Sequence, residues 1–468
     1  MVGVNERGSR RYVLMIIAQQ SSEMSIAAYL SDPSTGGSKL MEIICERENM
    51  HRALKRVRSN KGAPGVDGMT VDQLPSYMRR HWPQIKEELQ NGTYRPFPVR
   101  RKEIQKPQGG VRLLGIPTVV DRLVQQAVGQ VLQQIWEPLF SDSSYGFRPQ
   151  RCQHDAIHKV KRYVEDGYRH VVDMDLSKFF DRVNHDRLLS RLATKVHDKR
   201  LLKLIRAFLT AGVLIGGLFE ESEEGTPQGG PLSPLLSNIV LDELDHELEQ
   251  RNLRFTRYAD DFIIFVKSKR AARRVMASVS RFVNRRLRLK VNEEKSQITH
   301  PWWMCFLGLS FTSKRGDTRV RIHSKSIKRF KEKVRKLTGR NTGRSIHQII
   351  YDLNLYLRGW WNYYSITQSN SIFRSINGWI MRRLRAILWK QWKNPRTRVR
   401  QLLKRGIYKY HAVKTGNSRK GEWRMSKVKW VIIALQNRYF THNLKLYLPG
   451  SPAQISRTAL VRDPYAGW

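Results

Sequence analysis

The chain has 468 residues, 40% hydrophobic and 10% aromatic, enough to bury the cores of two or three packed domains; this excludes a disordered polymer. With 85 Lys+Arg against 40 Asp+Glu, the formal charge is +45, so the surface repels itself unless a polyanion neutralises it. Nucleic acid is the expected partner, either acted upon or merely coated, as by a ribosomal protein.

Cys45, Cys152 and Cys305 form neither a Cys-x-x-Cys pair nor an even disulfide framework, which suits a reducing cytoplasm and gives no structural zinc. The longest apolar runs, such as the one around Val13 to Ala18, fall far short of the ~20 residues of a membrane span, so no membrane is expected. No signal-peptide pattern opens the chain.

In chain order, residues 1–40 are the least patterned and end in Ser31-Asp-Pro-Ser-Thr-Gly-Gly-Ser38, a linker-like stretch. They read as an arm ordered only by a partner. From Met41 the pattern is helical, and Asn60 to Gly68 then marks an exposed loop rich in Gly and Pro. Lys106-Pro-Gln-Gly-Gly-Val-Arg112 joins a glycine turn to two cations suited to triphosphate oxygens. Arg169 to Asp175 reads as a short apolar strand, Asp186 to Thr210 as helix, and Phe255 to Val266 as a hairpin.

Chemistry concentrates in three of these segments. Arg257-Tyr-Ala-Asp-Asp-Phe-Ile-Ile-Phe265 sets Asp260 and Asp261 at the hairpin turn, where aspartate alone would be ordinary turn chemistry. Val171-Val-Asp-Met-Asp-Leu-Ser-Lys-Phe-Phe-Asp181 delivers Asp175 at the end of a strand. If that strand lies beside the hairpin, three carboxylates converge and require divalent cations, and two Mg2+ ions about 4 Å apart would serve in-line phosphoryl transfer. Glu224-Gly-Thr-Pro-Gln-Gly-Gly-Pro-Leu-Ser-Pro-Leu-Leu-Ser-Asn238 lets backbone approach a ligand, with Gln228 able to bond a nucleotide or template. A rigid loop before an N-capped helix accounts equally well for Ser233 and Asn238.

The charge shifts near residue 311: from there to the end stand 36 Lys+Arg against 5 Asp+Glu, a balance of +31. Within that third, Ile346, Ile349, Ile350, Leu353, Leu357, Trp360 and Tyr364 keep helical spacing. So do Ile376, Trp379, Ile380, Leu384, Ile387, Leu388 and Trp392, and the ordinary use of these tryptophans is helix packing.

Taken in order, these segments resemble the reverse transcriptases encoded by group II introns, also called maturases. The resemblance runs from about Met41 to Tyr447. It includes Gly-Ala-Pro-Gly-Val-Asp-Gly at 62–68, Leu-Gly-Ile-Pro-Thr at 114–118, Tyr-Gly-Phe-Arg-Pro at 145–149 and Phe-Phe-Asp-Arg-Val-Asn-His at 179–185. The Thr-Pro-Gln-Gly-Gly-Pro-Leu-Ser-Pro-Leu-Leu block, Tyr-Ala-Asp-Asp, Asn-Glu-Glu-Lys-Ser at 292–296 and Phe-Leu-Gly-Leu-Ser-Phe at 306–311 follow.

The resemblance implies an α+β right-hand polymerase fold, with fingers and palm at 41–313. An α-helical maturase domain serving as thumb and intron-RNA clamp follows at 314–405, then a basic DNA-binding tail at 406–468. It makes Asp175, Asp260 and Asp261 the catalytic metal ligands for two Mg2+ ions, with Mn2+ as a substitute. Phe180 becomes the gate that excludes a ribose 2′-hydroxyl. Lys106, Arg112 and Gln228 become nucleotide contacts, and Lys295 is a further candidate.

Arg382, Arg383, Arg385, Lys390 and Lys393 are expected to touch RNA phosphates. The implied partners are group II intron RNA, an RNA template with DNA primer, target DNA and deoxynucleoside triphosphates, in a bacterial cytoplasm or nucleoid. No cysteine follows Cys305, so the chain is most similar to class C members lacking the His-Asn-His nuclease. A splicing-only maturase would need the clamp but no metals, and a stand-alone host reverse transcriptase would not need the extension after Lys314.

Overall fold

A computed structural model describes residues 39–105, 111–215, 218–220, 224–225, 229–314 and 317–450. The expected arm, but for its last two residues, and the candidates Lys106 and Gln228 lie outside the described residues. The described strands are β1 (Val99–Gln105), β2 (Val111–Ile116), β3 (His170–Met174), β4 (Val213–Ile215), β5 (Leu218–Glu220), β6 (Arg254–Tyr258), β7 (Asp261–Val266), β8 (Gln297–Thr299), β9 (Leu309–Lys314) and β10 (Asp317–Ile322). The chain forms two compact units. The first is built from the described residues up to Tyr163 and from Gly167–Thr299, the second from His300 onward.

The first unit holds two four-stranded sheets, ordered β2-β1-β4-β5 and β6-β7-β3-β8. In the second of these every pairing is antiparallel, and its register sets Asp173 opposite Ile263 and Met174 opposite Phe262. Because side chains alternate across a strand, Val172 and Met174 share one face with Phe262, Ile264 and Val266. That face is buried with Ala272, Val279 and Val283 of the helix Lys269–Arg285 and with the helix Ser233–Gln250. The catalytic candidates Asp175 and Asp261 have the opposite parity.

Side-chain caps start several helices. Thr118 accepts the Asp121 amide at the head of Val119–Trp136, and Ser268 accepts the Ala271 amide at the head of Lys269–Arg285. The expected continuous helix from Asp186 to Thr210 is in fact two, His185–Ala193 and Lys199–Thr210. Asp198 makes the break: one carboxylate oxygen caps the second helix at the Arg200 amide, while the other accepts the Met41 amide, a contact remote in sequence.

The second unit contains the β9–β10 hairpin and a core formed by the helices Ser324–Leu337, Ile346–Tyr364 and Asn370–Gln391 with segments up to Leu446. Trp360, Trp361, Trp389 and Trp392 are all in that core, as helical spacing requires. The expected helices begin and end close to their apolar stripes.

Asp121 is buried and accepts hydrogen bonds from the Thr118 and Tyr94 hydroxyls and the Phe97 amide. Burial nevertheless outweighs those bonds and pushes its carboxyl up to about 6. The folded protein therefore holds this proton more tightly than the unfolded chain, whose aspartate titrates near ~3.9. The stability this group contributes is present below that value and is lost as pH rises through about 6. Urea denaturation of Asp121→Asn beside the parent should show the difference moving in the variant's favour between about pH 4 and 6, then levelling off.

Candidate active site on the first unit

Asp175 follows β3 directly, and the β3–β7 register carries it level with Asp261, the first residue of β7. Tyr258 pairs with Asp261, so Ala259 and Asp260 form the tip of the β6–β7 turn. Ala259 is left-handed, with φ 57°. The expected convergence of Asp175 with the Asp260-Asp261 pair is therefore met by backbone register.

Asp175 is also held from β8's side of the sheet. Its amide donates to Ser296 Oγ (3.1 Å), and its carbonyl accepts the Asn292 amide (2.8 Å). Its Oδ2 accepts from Asn292 Nδ2 (3.0 Å) and faces Lys295 Nζ at 3.4 Å. Sequence reading singled out Lys295 from Asn-Glu-Glu-Lys-Ser but missed Asn292 and Ser296, although all three belong to that one segment.

Desolvation, then Asp260, Asp175 and Asp173, push the Asp261 carboxyl up to about 7, with Lys295 pulling the other way. Asp261 presents surface to solvent, and three carboxylates crowd it. Among the described residues no three carboxylate, imidazole or thiol side chains form a ready-made metal cage. Mg2+ does not require one, since it binds through one or two carboxylates plus substrate phosphates. Crowded carboxylates that hold back a proton, open to solvent on one side, fit a divalent cation arriving with its nucleotide.

Beneath the turn lies a buried polar prop. Arg257 and Asp245 are both fully buried and bidentate, with Nε at 2.8 Å from Oδ1 and Nη2 at 2.5 Å from Oδ2. Arg257 Nη1 also donates to the Ala259 carbonyl (3.0 Å) and to Asn238 Oδ1 (2.8 Å). Asn238 Nδ2 donates onward to the Gly146 carbonyl (2.9 Å). Gly146 lies so close that a Cβ there would stand 2.3 Å from the Ala259 nitrogen. Burial pushes Asp245 up despite the pull of Arg257.

The gate candidate Phe180 sits in the turn Phe179–Asp181, half-buried and edge-on to the buried Phe179 ring. Gly225 has φ 93°, and a Cβ on it would meet the Phe180 carbonyl at 2.8 Å. One on Gly229 would meet the Gly115 carbonyl at 2.5 Å. The glycines flanking Gln228 thus press on the gate turn and on β2, which carries Arg112 opposite Ile104.

In the second unit, the RNA-contact candidates divide. Arg385 is buried and donates to the Leu435 carbonyl (2.9 Å) and Asn437 Oδ1 (3.1 Å). Arg383 donates to Thr338 Oγ1 (2.6 Å) and the Thr338 carbonyl (3.1 Å). Arg382 stacks 3.7 Å over the Trp423 ring. These three arginines tie segments of the unit together, and Arg385, expected at RNA phosphates, is instead buried and bonded within the unit. Lys390 and Lys393 are exposed; Lys390 bonds Asn341.

Residues 104–328 match the family model described as reverse transcriptase (RNA-dependent DNA polymerase), and residues 327–406 match that of the group II intron maturase-specific domain. Protein YkfC of Escherichia coli (strain K12) is 35% identical over 350 residues, covering 65% of this chain and 92% of that protein. The group II intron-encoded protein LtrA of Lactococcus lactis subsp. cremoris is 33% identical over 369 residues, covering 64% of this chain. The matched region spans 60% of LtrA's length.

Replacing Arg257 by Met should lower stability by about 3–5 kcal/mol, because Asp245 loses its partner in the core and must either stay charged there or take up a proton. Chemical denaturation of the purified variant measures this, and a loss below about 1 kcal/mol would contradict the prop.

Proposed function

Because this chain belongs to the reverse transcriptase family and carries a group II intron maturase-specific domain, we propose that it copies RNA into DNA and also binds its parent intron RNA. In this reading it assists splicing and then copies the intron during retrohoming. The observation that carries the reading is the meeting of Asp175 with Asp260 and Asp261 at one end of an antiparallel sheet, with Asp261 pushed up to about 7.

The family's chemistry depends on divalent metal. Asp175, Asp260 and Asp261 are the residues that would hold two ions, with Mg2+ the expected species. Bound there, the ions supply activation of the primer 3′-hydroxyl and neutralisation of charge on the leaving pyrophosphate.

The chain's own residues do the rest. Asn292 and Lys295 orient Asp175 and offset part of its charge. Arg257 holds the turn that carries Asp260. The Phe180 ring closes the sugar side of the nucleotide pocket and selects deoxynucleotides, while Arg112, Lys106 and Gln228 serve the triphosphate and template. The substrates are an RNA template with a DNA primer and deoxynucleoside triphosphates.

Residues 314–405 act as thumb and RNA clamp, and 406–468 as the part that meets target DNA. Supporting the latter, Tyr408 and Tyr410 are 75% and 62% exposed beside Lys409 and Lys414, an arrangement on which bases stack.

Primer extension on an RNA template with Mg2+ tests the reading. The double variant Asp260→Ala, Asp261→Ala should lose extension by on the order of a thousandfold or more, with intron-RNA affinity unchanged. Extension that survives would refute the site. With Phe180→Ala, discrimination against ribonucleotides should fall by about tenfold or more, read as the ratio of kcat/KM for the two sugars.

A further inference from the structure

The helix Lys269–Arg285 carries an unusual surface. From Lys267 to Lys290 the chain has ten Lys+Arg and no Asp or Glu, and all ten basic residues are exposed. At 100° per residue, Arg270, Arg273, Arg274, Arg281 and Arg285 fall on one side of the helix, together with the exposed Ala277 and Asn284. Ala272, Val279 and Val283 fall on the other side and are buried. The arginine row from 270 to 285 is about 22 Å long.

Some arginines elsewhere in this unit have carboxylate partners: Arg187 has Glu243, Arg200 has Glu42, Arg206 has Asp186 and Arg251 has Glu247. Among the described residues, none of the five arginines of the row has one. The row also repeats like charge at i,i+4, Arg270 with Arg274 and Arg281 with Arg285, which disfavours a helix on its own. A merely solvated face would intersperse acids and relieve this, whereas a row of unopposed guanidinium groups suits a line of phosphates.

The place of the row in the fold narrows the partner. The helix covers the sheet face formed by Val172, Met174, Ile264 and Val266, whereas Asp175 and Asp261 belong to the other face. A template–primer duplex seated at the carboxylates is therefore on the wrong side of the sheet to satisfy these arginines.

We propose that the Arg270–Arg285 face is a second nucleic-acid surface of the first unit, one that grips the phosphate backbone of a folded RNA while the opposite face of the sheet polymerises. The proposal rests on the reading of the chain as a polymerase that holds its parent intron RNA. A folded RNA is large enough to reach around the unit, and phosphate contacts of this kind position it without reading sequence.

The test uses the full chain carrying Arg273→Gln, Arg274→Gln and Arg281→Gln, and a control with Lys at the same three positions. Binding of a transcribed group II intron RNA is titrated across salt concentrations, and extension of a short primer–template is measured in parallel. The Gln variant should bind the RNA about tenfold or more weakly, with the slope of log affinity against log salt reduced by about 3. The Lys control should keep the parent slope, and extension should be unchanged in both.

An unchanged slope in the Gln variant would overturn the proposal. Equal loss of short-template extension would assign the row to the catalytic duplex instead, and stronger competition by duplex DNA than by the RNA would replace RNA as the partner. Absence of extension from the parent protein would count against the polymerase reading alone, because the salt slope is read without catalysis.

Discussion

One buried guanidinium braces the turn that carries Asp260 and Asp261. Arg257 lies on β6, fully buried, and donates to Asp245, Asn238 and the carbonyl of Ala259, the residue immediately before Asp260. A turn bearing two adjacent aspartates near a third is electrostatically unfavourable, because each carboxylate raises the cost of ionising the others. Left to itself such a turn would relax by spreading its carboxylates. Here Arg257 ties the turn from within, and Gly146 packs against it from one side with a contact that admits no Cβ. Desolvation, together with the neighbouring Asp260, Asp175 and Asp173, pushes the Asp261 carboxyl up to about 7.

The same logic of close backbone contact runs through the rest of the site. Gly225 packs against the Phe180 turn and Gly229 against the Gly115 carbonyl of β2, each closer than a Cβ would allow. A side chain at either glycine would push these backbone segments apart. Glycine has two roles at Gly225: its positive φ and its absent Cβ are both required.

Charge has different uses in different parts of the molecule. In the second unit the high balance of Lys+Arg is partly internal, because Arg382, Arg383 and Arg385 bond carbonyls, hydroxyls and an indole ring of their own helices. In the first unit, by contrast, the arginines of the helix Lys269–Arg285 face solvent in a single unopposed row. Counting basic residues along the chain does not distinguish these cases. A planar guanidinium can serve as a packing element or as a phosphate ligand, and its burial decides which.

Much was legible in the sequence itself, for local reasons. Apolar and β-branched residues flanking Asp260 and Asp261 marked a hairpin, the short run before Asp175 marked a strand end, and helical spacing placed Trp360 and Trp392 in a core. These features depend on neighbours a few residues away, while the order of motifs that marks the family is read directly along the chain. What only the tertiary structure decided depends on residues far apart in the chain. The break at Asp198 needs Met41, the orientation of Asp175 needs Asn292 and Ser296, and the hold on Ala259 joins Gly146, Asn238 and Asp245 through Arg257. Register and side-chain periodicity follow from short-range geometry, whereas the pairing of buried polar groups is set by which distant segments the core brings together. That is why the carboxylates could be named from sequence and the groups that hold them could not.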